Sequence, residues 1–279
     1  MKRLHLMMLV LVSLLLSPTQ ILAGSIFITG HDPTWHANFG GNTTGAANLA
    51  TTGIQYARNG SALPFLFIES TAPVPPGNAY TLPFLTSALG YLPGDFVAMN
   101  AAALTALPNF RTALNSYSAI VVASDHGGML SSAELSFLNA RSADIIDYLN
   151  AGGGIYAEGE SNATGMIGAT PRFGFLPFLV SSADFQATEV ANTVTAFGAT
   201  LGLVNSDVNG NFSHNYFAST GGMSPVDLFN GDAQLPLTLA FRGSITDVGV
   251  VPEPETYALM LAGLGLLGFV ARRRKQRAA

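Results

Sequence analysis

Five short apolar runs, each followed by a helix-length stretch, constrain this chain more than any other feature. The runs are Ser25 to Gly30, Pro64 to Ile68, Asp95 to Met99, Ala119 to Ser124 and Gly154 to Glu158. Continuous apolar runs of this length suit strands covered on both faces, as in a parallel sheet. Between them lie Thr44 to Arg58, Leu82 to Leu92, Ala101 to Ser116 and Ser132 to Asn150, long enough for helices and set off by Gly or Pro. Strand and helix alternate, so the expected class is an α/β sandwich with a mostly parallel sheet. The last of these helices carries the capping pattern Ser131-x-x-Glu134 and stops at Gly152-Gly153-Gly154; Arg141-Ser142 is a point at which it could split. After Ser161 the pattern loosens, and Pro177 to Val180, Val194 to Leu203, Val226 to Asn230 and Pro236 to Phe241 are expected as additional antiparallel or edge strands. The polar stretch Asn205 to Gly222 reads as a long surface loop.

The termini carry signals of a different kind. Met1-Lys2-Arg3, the apolar Leu4 to Leu16 and the small residue Ala23 have the layout of a secretory signal peptide over residues 1–23. At the other end stand Pro252-Glu253-Pro254, an apolar segment over about 256–271 that reads as a transmembrane helix, and Arg272-Arg273-Arg274-Lys275. Fifteen apolar residues at about 1.5 Å each fall short of a hydrocarbon core of about 30 Å, which fits a thin or transient anchor. This tail resembles the PEP-CTERM sorting signal of Gram-negative bacteria. The resemblance covers residues 251–279 and implies export across the inner membrane and a membrane-anchored intermediate. It also implies processing by an exosortase-type enzyme near Pro252 to Pro254, and a final place at the cell surface or in the extracellular matrix.

Setting both ends aside changes the charge. Residues 24–250 hold five arginines (Arg58, Arg111, Arg141, Arg172, Arg242), no lysine and fifteen Asp and Glu, a net charge of −10 where the whole chain has −5. Such a surface has no basic stripe for phosphate backbones, which argues against a nucleic-acid partner and leaves cations and neutral polymers such as exopolysaccharide. With no cysteine there is neither a disulfide framework nor thiolate chemistry, so an ordinary hydrophobic core must hold this domain.

Open α/β sheets bind ligands beyond the carboxyl ends of their strands. Three of the expected strand ends carry chemistry: Gly30-His31-Asp32-Pro33-Thr34-Trp35-His36, Asp125-His126-Gly127-Gly128 and Glu158-Gly159-Glu160-Ser161. Parallel pairing would bring His31, Asp32, Asp125, His126, Glu158 and Glu160 to one rim, a mixture of imidazole and carboxylate suited to acid–base work or to a divalent cation. No cofactor is otherwise evident. Each residue also has a structural use, since Asp after a strand caps helices and paired Gly residues turn the chain. Trp35 beside His31, Asp32 and His36 offers a ring on which a sugar face could stack. Asp207-x-Asn209-x-Asn211 has the alternating oxygens of a calcium loop without its Gly or its closing Glu.

The run Ala119 to Gly128, with the helix after it and Gly152 to Gly159, resembles the class I glutamine amidotransferase-like superfamily and is similar to the group that includes ThuA-type trehalose-utilisation proteins. The resemblance covers about residues 25–165 and implies a flavodoxin-like three-layer sandwich. The α/β domain would then span 24–250, with a C-terminal hydrophobic helix beyond it. Catalytic members place a Cys on the turn after the strand matching Gly154 to Glu158; here that turn is Glu158-Gly159-Glu160-Ser161-Asn162. The same turn loosely resembles the nucleophile turn of serine peptidases built on this fold. Ser161 would then be the nucleophile, His126 or His214 its base, and Glu160 a supporting acid. The expected function is an exported envelope or matrix protein whose ectodomain binds a carbohydrate or other polar ligand at His31, Asp32, Trp35, His36, Asp125 and Glu158. The alternative is a secreted hydrolase using Ser161 or a metal at the same rim.

Overall fold

A computed structural model describes residues 23–70, 83–125, 129–159 and 167–245. The signal peptide, the sorting tail with Pro252, Glu253, Pro254, Arg272, Arg273 and Arg274, the helix over 256–271, and His126, Glu160 and Ser161 lie outside these residues. One compact unit closes at Ile245.

The five apolar runs are strands: β1 Gly24–Thr29, β2 Phe65–Ile68, β3 Phe96–Met99, β4 Ala119–Val122 and β5 Gly154–Glu158. They pair in parallel in the order β3-β2-β4-β5-β1. Three later strands, β7 Thr193–Val194, β9 Ser224–Leu228 and β10 Pro236–Gly243, extend the sheet antiparallel beyond β1 as β1-β10-β9-β7. The α/β class therefore holds. The order of the parallel strands, however, differs from the 2-1-3-4-5 winding of flavodoxin-like sheets, because β1 sits beside β5 and not beside β2.

Alternate residues of each strand enter opposite cores, which makes three layers. After β1 come the short helix α1 Pro33–His36 and the long helix α2 Thr43–Arg58. Phe27, Phe65, Phe67, Val121 and Tyr156 face one core, closed mainly by α2 through Leu49, Ala50, Ile54 and Ala57. Ile26, Ile28, Leu66, Ile68, Ile120, Val122, Ile155 and Ala157 face the other. Helices α3 Ala101–Thr105, α4 Phe110–Leu114, α5 Ser132–Asn139 and α6 Ser142–Asn150 close that second core. The chain thus leaves β1 toward the α2 layer and β5 toward the opposite layer, where Ile167, Phe173 and Phe175 pack. Adjacent strands with departures to opposite faces open a crevice between their carboxyl ends, the switch point at which doubly wound sheets bind ligands.

The capping box on α5 forms as its sequence dictates, with the Glu134 carboxylate accepting from the Ser131 backbone N–H and Ser131 Oγ accepting from the Ala133 N–H. Glu134 also accepts from the Ala101 N–H, at 2.9 Å, so one buried carboxylate fixes the starts of α3 and α5. Several expected elements differ. The stretch Ala101 to Ser116 is two helices, since Pro108 breaks the run and Asn109 caps afresh by accepting from the Thr112 N–H. Phe84–Ala88 is a single π-turn. Val194 to Leu203 is mostly the short helix α7 Ala196–Thr200, capped by the Thr195 hydroxyl. The polar stretch after Asn205 is no long loop, because Phe212–Thr220 is strand β8, paired antiparallel with β6 Val180–Thr188 in a separate ribbon. Its buried positions alternate correctly, but two of them are Ser213 and Asn215, so hydrophobic periodicity misses it.

Candidate functional site

The β6–β8 ribbon lies over the end of β1. The Gly30 carbonyl accepts from the N–H groups of His214 and Asn215, and His31 bridges Ser213. This approach requires glycine, for a Cβ on Gly30 would stand 2.1 Å from the Asn215 carbonyl oxygen. The closeness turns β1's end into a floor on which two distinct polar groups are built.

The first is a buried ion triad. His31 Nδ1 lies 2.5 Å from Glu189 Oε1 and Nε2 lies 2.9 Å from Asp227 Oδ2. Burial acts to lower the imidazole's pKa, but the two carboxylates outweigh it and raise it to about 10, so His31 is an imidazolium at neutral pH. Glu189 also accepts from Ser213 Oγ and the Asn211 N–H. Although burial opposes it, His31 heads the interactions that hold this carboxyl below the usual range. With both ring nitrogens engaged, His31 is a cross-link between β1, the residue after β6, and β9.

The second group is the strand-end crevice. Asp32 caps α1, its Oδ1 accepting from the Trp35 N–H at 3.2 Å. Its Oδ2 is buried and accepts no hydrogen bond among the described residues, on a residue only 1% exposed. Glu158, at the end of β5, accepts from the Thr34 N–H (3.1 Å), Thr34 Oγ1 (2.7 Å) and the Tyr156 hydroxyl (3.0 Å). Burial, then the nearby Asp32 charge, push the Glu158 carboxyl up to about 8 against those three bonds. Asp125, just past β4, is raised to about 7 by burial, restrained by Arg172 and raised further by Asp32. Asp125 and Glu158, with Leu130, Leu135, Ile167 and Arg172, line a narrow cleft. A second narrow hollow, lined by Asp32, His36, Glu189 and Asn211 among others, lies against α1.

His36 is buried in α1 and stacks on His214 with ring centroids 6.0 Å apart. Burial holds the His214 imidazole below its ordinary value, with Asp32 pulling the other way. Trp35 is half-buried and packs on Phe39 at 5.0 Å, leaving Phe39 partly exposed on the same rim. Asp125 and Glu158 share one cleft, and Asp32, in the hollow against α1, lies near enough for its charge to raise both, with Trp35 and His36 on the helix that Asp32 caps. Sequence reading misses Glu189 and Asp227, which carry no motif, and Arg172. Arg172's rarity as one of five cations in residues 24–250 is a usable signal.

Among the described residues, no group of three or more His, Asp or Glu is placed to hold a metal ion. The calcium-like Asp207-x-Asn209-x-Asn211 is a hydrogen-bonded brace. The Asp207 oxygens accept from Asn48 and the Val204 N–H, Asn209 Oδ1 from the Asn192 N–H, and Asn211 Oδ1 from the Asn42 N–H. Its oxygens replace backbone pairing in a polar loop.

The chain is thus an α/β protein with an acidic crevice at a topological switch point. The PEP-CTERM protein-sorting motif matches residues 250–275, which supports export and cell-surface or extracellular sorting by an exosortase-type enzyme. No curated protein matches the chain. Among the described residues, no helix is long and apolar enough to cross a membrane.

Proposed function

We propose that this is an exported envelope or matrix protein of a Gram-negative bacterium whose α/β domain binds a carbohydrate, such as an exopolysaccharide, in the crevice formed by Asp32, Asp125 and Glu158. The tail would hold the protein at the inner membrane until the exosortase-type enzyme releases it. The observation that carries the binding reading is the buried Oδ2 of Asp32, which accepts no hydrogen bond among the described residues, with two further buried carboxyls near it. A buried acceptor left unsatisfied costs about 1–3 kcal/mol, and ligand hydroxyls would supply the donors. The Trp35–Phe39 pair adds an apolar face of the kind on which sugar rings pack. Glycan-array and calorimetric measurements on the exported domain test this. Saturable binding weakened about tenfold or more by Asp125→Asn is expected, at about 1.4 kcal/mol per decade. Binding to no glycan, or binding indifferent to that substitution, would refute it.

A second reading, a secreted hydrolase, draws on Asp125 and Glu158, whose carboxyls lie near about 7 and 8, where proton exchange at neutral pH is easiest. Fluorophosphonate labelling that Ser161→Ala abolishes would support its serine form with His126 and Glu160. Absence of labelling and of turnover leaves the binding protein.

A further inference from the structure

Of the five arginines in residues 24–250, four have their charge spread over the fold's periphery. Arg58 donates to the Leu63 carbonyl, Arg111 to Asn115 and the Asp147 carbonyl, and Arg242 to Ser25 and the Tyr56 carbonyl, while Arg141 lies over the Phe137 ring. Arg172 differs. Its side chain is 15% exposed and only Nη1 is engaged, at 2.9 Å from Asp184 Oδ1. That Asp184 oxygen is itself fixed by Asn215 Nδ2, also at 2.9 Å. Nε and Nη2 are buried and donate to nothing among the described residues.

These two nitrogens form the side-on edge of the guanidinium, the fork that grips a planar carboxylate through two parallel hydrogen bonds. Asp184 holds the far nitrogen and thereby sets the orientation of that fork. Arg172 lines the cleft with Asp125 and Glu158, and it also lines an open surface groove with Thr170, Ser181 and Ser182. An extended ligand could lie in the groove and direct one group to the fork.

We infer that the crevice recognises a saccharide bearing a carboxylate, a uronate unit, with its carboxylate on Nε and Nη2 of Arg172 and its hydroxyls donating to Asp125 and Asp32. The inference rests on the saccharide-binding reading above and specifies its ligand. A carboxylate is favoured over a tetrahedral phosphate or sulfate ester because the fork matches a planar group, and over a phosphate monoester also because the flanking carboxyls and the domain's net charge of −10 penalise a second negative charge.

The test is titration calorimetry of the full-length protein with methyl galacturonide, which carries a single carboxylate, and with its methyl ester, which keeps the sugar and caps the charge. The acid should bind at least tenfold more tightly than the ester. Arg172→Gln should bring the acid down to the ester's affinity while leaving the ester unchanged. Arg172→Lys keeps a cation for Asp184 without the fork and guards against a folding defect; it should also lose most of the discrimination. Equal binding of acid and ester, or full acid affinity in Arg172→Lys, would overturn the uronate assignment and leave saccharide binding standing. Binding of neither would overturn the uronate assignment, and the saccharide reading falls with it only where the glycan array also shows no binding.

Discussion

Asp32 shows how one residue serves two purposes. One oxygen caps α1 and the other is buried without a hydrogen bond among the described residues. Asparagine keeps the cap and removes a charge that raises Glu158 and Asp125. Asp32→Asn should therefore melt a few degrees higher than wild type by calorimetry, since about 1 kcal/mol corresponds to about 2–4 °C at this size, while weakening ligand binding. A lower melting temperature would mean that the charge is compensated. Gly30 has a purely steric role. An alanine Cβ at this position would stand 2.1 Å from the Asn215 carbonyl oxygen, so Gly30→Ala must push β1 and β8 apart. Urea titration should show a loss of about 1–3 kcal/mol.

At the level of elements, the His31–Glu189–Asp227 triad ties the residue beyond β1 to β9 and to the residue after β6, in addition to the backbone pairing of β1 with β10. His31→Gln should cost about 3–5 kcal/mol, because it strands two buried carboxylates. Asp227→Asn added to it should recover part of that loss, since Asp227 Oδ1 has no other partner among the described residues. Denaturant midpoints of the four proteins in this double-mutant cycle would show the coupling, and strict additivity would contradict it. The same elements mark where sequence reading stops. β1 to β5 are legible because each is an uninterrupted apolar run, as a strand covered on both faces must be. β8 is hidden because its inward residues include Ser213 and Asn215, whose burial is made tolerable by Glu189 and Asp184 from β6 and the residue after it. Asp32, Asp125 and Glu158 are legible from their place after strands. The ion pairing of His31 is not legible in sequence, since its partners come from residues 158 and 196 positions away.

For the whole molecule, these carboxyls and the imidazolium set a pH profile. Asp125 and Glu158 have folded values of about 7 and 8, above their ordinary 3.8 and 4.5, so the folded state holds their protons more tightly and stability falls as pH rises from about 4 to 8. His31, raised from 6.5 to about 10, contributes stability that is complete below 6.5 and lost as pH rises through 10. Glu189 is lowered, so its contribution is present above 4.5 and lost in stronger acid. Stability should therefore peak near pH 5 and decline toward pH 9. Asp125→Asn should flatten the limb between about 4 and 7 in urea midpoints measured across that range. A midpoint rising from pH 5 to 9 would contradict these assignments.

On the function proposed above, the carboxyl ends of β1, β4 and β5 hold a ligand. Calorimetric titration of methyl galacturonide into wild-type protein and into the Asp32→Asn/Asp125→Asn variant at pH 7 tests this most directly. Saturable binding to the wild type, lost by at least tenfold in a variant that melts no lower, is the predicted result. Binding that survives the double substitution unchanged would contradict it.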